Sequence, residues 1–148
     1  MIAVDTNLLV YAHRRDSEWH AASGRVVTRL AESASPWAIP WPCIHEFLGV
    51  VTHPRVYRPA SLLKEAVQQV EIWMESPSLR FIGELAGHWA ELRPMLMAGK
   101  ISGKAVHDAR IAAICREHGI RELWTADRDF SRMVGITVRN PLTGASSS

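Results

Sequence analysis

Three observations predict a three-layer α/β/α fold around a central, mainly parallel sheet of four to five strands. Short apolar runs alternate along the chain with apolar positions at helical spacing, the pattern of βαβ units. The 148 residues suit one domain with a well-filled core. Acidic residues also follow two of the apolar runs: Asp5 directly after Ile2-Ala3-Val4, and Asp127 one residue beyond Leu123-Trp124-Thr125.

The elements follow in order. Ile2 to Val4 reads as the first strand. Ser17 is suited to cap a helix with Trp19, Ala22, Val26 and Leu30 on one face. Trp37-Ala38-Ile39 is a second strand, closed by Pro40 and Pro42, and Pro42 can open the helix Cys43 to Thr52, which stops before Pro54. Leu62, Ala66, Val70 and Trp73 form a further helical stripe, and Leu79 to Ile82 a third strand. Leu85, Trp89, Leu92 and Leu96 recur at helical spacing with Pro94 among them, where a missing N–H favours a kink. A loop from Ile101 to Lys104 leads into the helix Ala105 to His118, ended by Gly119. Leu123 to Thr125 and Ile136 to Val138 are the last strands. Asn140-Pro141 then breaks the pattern, so residues 1–142 are expected to form one domain and 143–148 a frayed tail.

Bulk properties exclude several classes. With 47% hydrophobic and 22% charged residues the composition is that of a soluble globular protein. No apolar stretch reaches the roughly 20 residues of a membrane helix, and Asp5 interrupts the place of a secretory signal. Cys43 and Cys115 lack metal-ligand spacing and read as reduced core thiols, which favours the cytoplasm. The net charge is +2; setting aside Asp5, Glu46, Asp108 and Asp127 leaves the remainder at +6. An acidic pocket on a basic body suits a polyanionic substrate such as nucleic acid.

Those four acids carry the chemistry. In a parallel sheet, strand ends open onto one crevice. Glu46 lies early in the helix after the second strand, and Asp108 near the start of the helix opening at Ala105. Each has a structural alternative: Asp108 compensates a helix dipole and Glu46 faces solvent. Together they would repel, by about 3 kcal/mol per pair at about 5 Å and an effective dielectric near 20. A divalent cation relieves that cost. Mg²⁺, or Mn²⁺, prefers carboxylate oxygens and activates water toward a phosphodiester. Asn7 and Thr125 are placed to hydrogen-bond the carboxylates; Asp129 could assist but reads chiefly as the cap of the turn ending at Phe130. The 6 tryptophans read as packing residues rather than base platforms. No histidine pair has the spacing of a zinc helix. Arg14, Arg15, Arg55, Arg58, Lys104 and Arg110 could meet phosphates, although each alone reads as a solvated charge.

These residues resemble a family. The opening Met1-Ile2-Ala3-Val4-Asp5-Thr6-Asn7-Leu8-Leu9-Val10-Tyr11-Ala12 is similar to the start of a PIN-domain ribonuclease of the VapC toxin type. Glu46-Phe47-Leu48-Gly49-Val50-Val51-Thr52-His53-Pro54-Arg55-Val56, Val106-His107-Asp108-Ala109, Leu123 to Phe130 and Arg139-Asn140-Pro141-Leu142 follow in the family's order. The resemblance implies a Mg²⁺- or Mn²⁺-dependent endoribonuclease that cuts RNA as the toxin of a type II toxin–antitoxin system. It implies inhibition by a VapB-type antitoxin, and a homodimer. Carried over by motif, Asp5 and Asp108 are the firmest metal ligands, and Glu46 and Asp127 complete the site. Pro94 departs from the pattern without touching the four acids.

Other readings make different demands. A haloacid-dehalogenase-type phosphatase needs a second acid where Asn7 stands. A receiver domain needs adjacent acids near the first strand and a late lysine, and neither is present. A non-catalytic PIN-fold binding module would keep the acids without turnover.

Overall fold

The central strands are apolar enough to lie between two helical layers. Ala3, Val4, Trp37, Ala38, Ile39 and Leu123 are all wholly buried, as a parallel sheet covered on both faces requires. The computed structural model describes residues 1–144. Its strands are β1 (Ile2–Val4), β2 (Trp37–Pro40), β3 (Leu79–Ile82), β4 (Glu122–Trp124) and β5 (Thr137–Arg139). They form one sheet in the order β3-β2-β1-β4-β5, with every pairing parallel. Ile2 lies between Trp37 and Glu122, and Trp124 is the register partner of Arg139.

The helices are α1 (Thr6–His13), α2 (His20–Glu32), α3 (Trp41–Val51), α4 (Leu63–Met74), α5 (His88–Gly99), α6 (Ala105–Glu117) and α7 (Pro141–Gly144), with a 3₁₀ turn at Arg128–Arg132. The chain steps outward from β1 to β2 to β3, then returns past β1 to β4 and β5. Right-handed crossovers therefore put the connections before and after the return on opposite faces. Consistently, α1 packs on α2 and α3, whereas α5 packs on α6. Among the described residues no helix is long and apolar enough to cross a membrane.

Most predicted elements are present, and the departures have local causes. No helix is expected directly after β1, yet Asp5 caps α1 by accepting from Thr6 N at 2.8 Å. Ser17 does not cap α2. Its Oγ accepts from Trp19 N at 3.1 Å, and the helix starts only at His20. The buried face of α2 is Ser23, Val27 and Leu30, rotated from the predicted stripe because α2 lies against α1, where Ser23 Oγ donates to Leu8 O at 2.6 Å. Ala22 and Val26 are left partly buried beside the sheet. Helix α5 runs through Pro94. Gly119 ends α6 at φ +71°, a left-handed conformation that suits glycine. Asn140 does more than break the pattern: its side chain accepts from Leu142 N at 3.0 Å and opens α7. Thr143 and Gly144, assigned to the frayed tail, lie in α7, while residues 145–148 of that tail lie outside the described residues.

Candidate metal centre

The strand order reverses between β1 and β4, which run parallel, and this switch point is where an open α/β sheet leaves a crevice at its carboxyl end. Asp5 and Thr125 are the first residues past those two strands. The strand ends are tied by Asp5 N donating to Trp124 O at 3.0 Å. Thr125 Oγ1 donates to Asp5 Oδ2 at 2.8 Å, and Asn7 Nδ2 donates to Thr125 Oγ1 at 2.9 Å and to Asp5 Oδ2 at 3.3 Å. Asn7 Oδ1 accepts from Ala126 N at 3.0 Å, so one side chain joins α1 to the loop after β4. Thr125 Oγ1 also accepts from Asp127 N at 3.0 Å. The other Asp5 oxygen takes Thr6 N and, at 3.6 Å, the Cys43 thiol. Asn7 and Thr125 thus hold a carboxylate, as the sequence predicts.

Burial sets the electrostatics. Asp5 is only 5% exposed. Its carboxyl is pushed up to about 6, first by desolvation, against the hydrogen bonds from Thr125 and Thr6, with Glu46 adding negative charge. Asp108, in the first turn of α6, is also pushed up to about 6. Desolvation again leads there, followed by the charges of Asp127, Asp5, Glu46 and Asp129. All four predicted acids therefore share one electrostatic neighbourhood. Glu46 is the exposed member, on α3.

Distances refine the grouping. Carboxylate oxygens of Asp108, Asp127 and Asp129 lie within 4.8 Å of one another. Asp5, expected with Asp108 to be a firmest ligand, is outside this tightest trio. The capping role expected of Asp129 belongs to its neighbour. Asp127 is the cap, accepting from Asp129 N at 2.9 Å, which frees the Asp129 carboxylate to join the group. The Asp-x-Asp spacing of 127 and 129 was the signal for this.

Basic side chains do not balance these charges. Among the described residues none of the five acids forms an ion pair; the pairs are Arg14–Asp16, His88–Glu117, Arg110–Glu84 and Arg116–Glu91. Arg14 also lies over the Tyr57 ring at 4.4 Å. Arg14 and Arg110, two candidates for phosphate contact, are therefore committed elsewhere. A cleft of about 780 Å³ beside Arg14 and His20 lies at the far end of α1 from the acids. A hard divalent cation fits the site: all its donors are carboxylate oxygens, they crowd together, and no described side chain neutralises them.

A parallel α/β sheet that gathers carboxylates at its switch point, without ion-pair partners among the described residues, is suited to hold a divalent cation. The sequence pattern of the PIN domain family matches residues 2–136. Ribonuclease VapC48 of Mycobacterium tuberculosis is 34% identical over 140 residues, which cover 95% of this chain and 97% of that protein. Ribonuclease VapC43 of the same organism is 33% identical over 144 residues, 97% of each chain. Among solved structures, M. tuberculosis VapC20, a sarcin–ricin loop cleaving toxin, superposes with a TM-score of 0.68 at 21% identity, covering 95% of this chain and all of that one (100%). VapBC2 from Rickettsia felis, bound to a DNA fragment from its promoter, gives 0.67 at 21%, with 95% and 98% covered. The chain belongs to the PIN domain family, among the VapC ribonucleases.

Proposed function

We propose that this chain is a divalent-metal-dependent endoribonuclease, the toxin of a type II toxin–antitoxin pair. Asp5, Glu46, Asp108 and Asp127 are its working acids, with Asp129 beside them. One observation carries this reading: five carboxylates meet at the sheet's switch point without a basic partner among the described residues. Mg²⁺, or Mn²⁺, is the cation that suits an all-oxygen donor set. When bound, it supplies positive charge for the phosphodiester and acidifies the attacking water.

The side chains divide the remaining work. Asp108, Asp127 and Asp129 present the closest oxygens and would hold the cation. Asp5, fixed by bonds to both its oxygens, adds a held negative charge beside them. Glu46, exposed on α3, has the freedom to accept a proton from the attacking water. Asn7 and Thr125 keep Asp5 in one rotamer. Asn7 has no acidic function, which leaves an aspartyl-phosphate phosphatase without its general acid. A VapB-type antitoxin is the partner this reading requires, and a cytoplasmic homodimer is the form in which we expect it.

The test is cleavage of RNA by the purified, antitoxin-free chain with Mg²⁺ or Mn²⁺. The parent should cut internally; Asp5→Asn, with its circular dichroism unchanged, should not. RNA bound but never cut by the parent would instead make the chain a binding module. Hydrolysis of small phosphate monoesters in place of RNA would revive the phosphatase.

A further inference from the structure

Trp41, the first residue of α3, is 39% exposed, yet its ring lies in a column of flat side chains. Phe81 of β3 stacks on it with centroids 4.5 Å and planes 18° apart, and His45, one turn along α3, follows at 6.4 Å and 26°. We infer that Trp41, with His45 beside it, is a stacking platform for an unpaired base of the RNA, further along the strand than the bond that is cut. The inference rests on the ribonuclease reading and adds how the substrate strand is held.

Position is the first argument. Trp41 directly follows β2, the neighbour of β1, and so stands at the same carboxyl end of the sheet as Asp5. Two residues on, the Cys43 thiol reaches Asp5 Oδ1 at 3.6 Å. Glu46, next to His45 and exposed with it, contributes its charge to the raised pKa of both Asp5 and Asp108. On its other side the ring borders Gly83, where a Cβ would stand 3.6 Å from Trp41 Cδ1. Glu84 comes next and pairs with Arg110, two residues beyond Asp108 on α6. The platform is therefore tied to the acids both through α3 and through the end of β3. Its ring leans toward β3, two strand spacings or about 10 Å from β1. The base it holds is thus a neighbour of the cut bond and not a member of it.

Chemistry is the second. Trp37 and Trp73 are buried in the core, where their rings are consumed by packing. Trp41 differs, because flat neighbours fix the plane of its ring while part of its surface faces water, so little freedom is lost when a base stacks on it. Every base has a π face, and such stacking tolerates any sequence. It needs no basic partner, and Arg110, on this side of α6, is already paired with Glu84. A packing role alone would ask only that Phe81 be covered, which leucine can do.

The experiment compares the full chain with Trp41→Leu, Trp41→Phe and Trp89→Leu, the last removing an exposed tryptophan of α5. The probe is a mixed-sequence single-stranded oligoribonucleotide. Its binding is read by fluorescence anisotropy without metal, and its cleavage at a mapped bond with Mn²⁺. Copies of it carry an abasic riboside at successive positions. We expect the dissociation constant and KM to rise about tenfold in Trp41→Leu, with kcat falling much less. The log–log salt slope should stay unchanged, because no phosphate contact is lost. Trp41→Phe should recover most of the affinity, and Trp89→Leu should match the parent. One abasic position should weaken the parent by a similar factor and weaken Trp41→Leu no further. A parent that cuts RNA while Trp41→Leu keeps its KM and affinity overturns the platform and leaves the ribonuclease reading intact. So does a cutting parent indifferent to every abasic position, a result that needs no variant to fold. A parent that binds but does not cut, with affinity still lost in Trp41→Leu, does the reverse. A changed oligomeric state in Trp41→Leu, with RNA binding per chain unaffected, would assign the ring to contact between copies and overturn the proposal.

Discussion

Two regions of this protein handle charge in opposite ways. Along α5 and α6 three carboxylates each have a partner: Glu84 with Arg110, Glu91 with Arg116 at 2.8 Å, and Glu117 with His88 at 2.7 Å. Across the sheet's carboxyl edge, Asp5, Glu46, Asp108, Asp127 and Asp129 have none among the described residues. The first arrangement is what stability selects. The second costs stability, and in the function proposed above a cation offsets that cost. Local rules of charge pairing tend to be broken at functional sites, and here the break marks the site more sharply than any cavity does.

The largest test of this contrast removes an unpaired acid. Asp5→Asn should lower RNA cleavage by about a thousandfold or more, and chelation with EDTA should bring the parent to the same background, reversibly. Next come the residues that hold Asp5. Asn7→Ala removes the bonds to Thr125, Asp5 and Ala126 N. It should weaken activity or metal affinity by about 10- to 100-fold, read as a shifted Mn²⁺ titration. If Asn7→Ala matches the parent at limiting metal, the network supports the fold and not the site.

On the paired side the prediction changes kind. The Glu117 side chain is 3% exposed and accepts from Leu85 N at 2.9 Å as well as pairing with His88. Glu117→Ala should cost about 1–2 kcal/mol through the donors it strands. A melting temperature lower by a few degrees, with RNA cleavage intact in the folded fraction, is the expected outcome. Loss of cleavage without loss of stability would erase the distinction between the two regions.

How legible all this was in the sequence follows from the same distinction. The strands were readable because Ile2 to Val4, Trp37 to Ile39 and Leu79 to Ile82 are apolar runs that tertiary packing simply buries. The acids were readable because strand ends converge in a parallel sheet, which is a matter of topology. Helix α1 was not, since Thr6 to Val10 mixes β-branched and polar residues and is made helical by the Asp5 cap and by α2 packed on it. The cap was assigned to Asp129 instead of Asp127 because both carboxylates can cap the same turn, and only backbone geometry decides between them.

The smallest effect separates stability from function within a single residue. Asp108 has its folded pKa raised from 3.8 to about 6, so between those values the folded state holds a proton that the unfolded state has released. Stability from this group is therefore fully present below about 3.8, declines as the pH rises to about 6, and stays low above it. At pH 7.5 without metal, Asp108→Asn removes a charge repelled by its neighbours. Because Asp108 is only half-buried, the gain should be discounted to about 1 kcal/mol, or about 2–4 °C in melting temperature for a chain of this size. The same substitution at pH 4 should change little. Adding Mn²⁺ should reverse the order, raising the melting temperature of the parent by mass action and hardly moving the variant. A parent more stable than Asp108→Asn in EDTA at pH 7.5 would mean that the carboxylates are balanced within the protein after all, and that no cation is needed to hold them together.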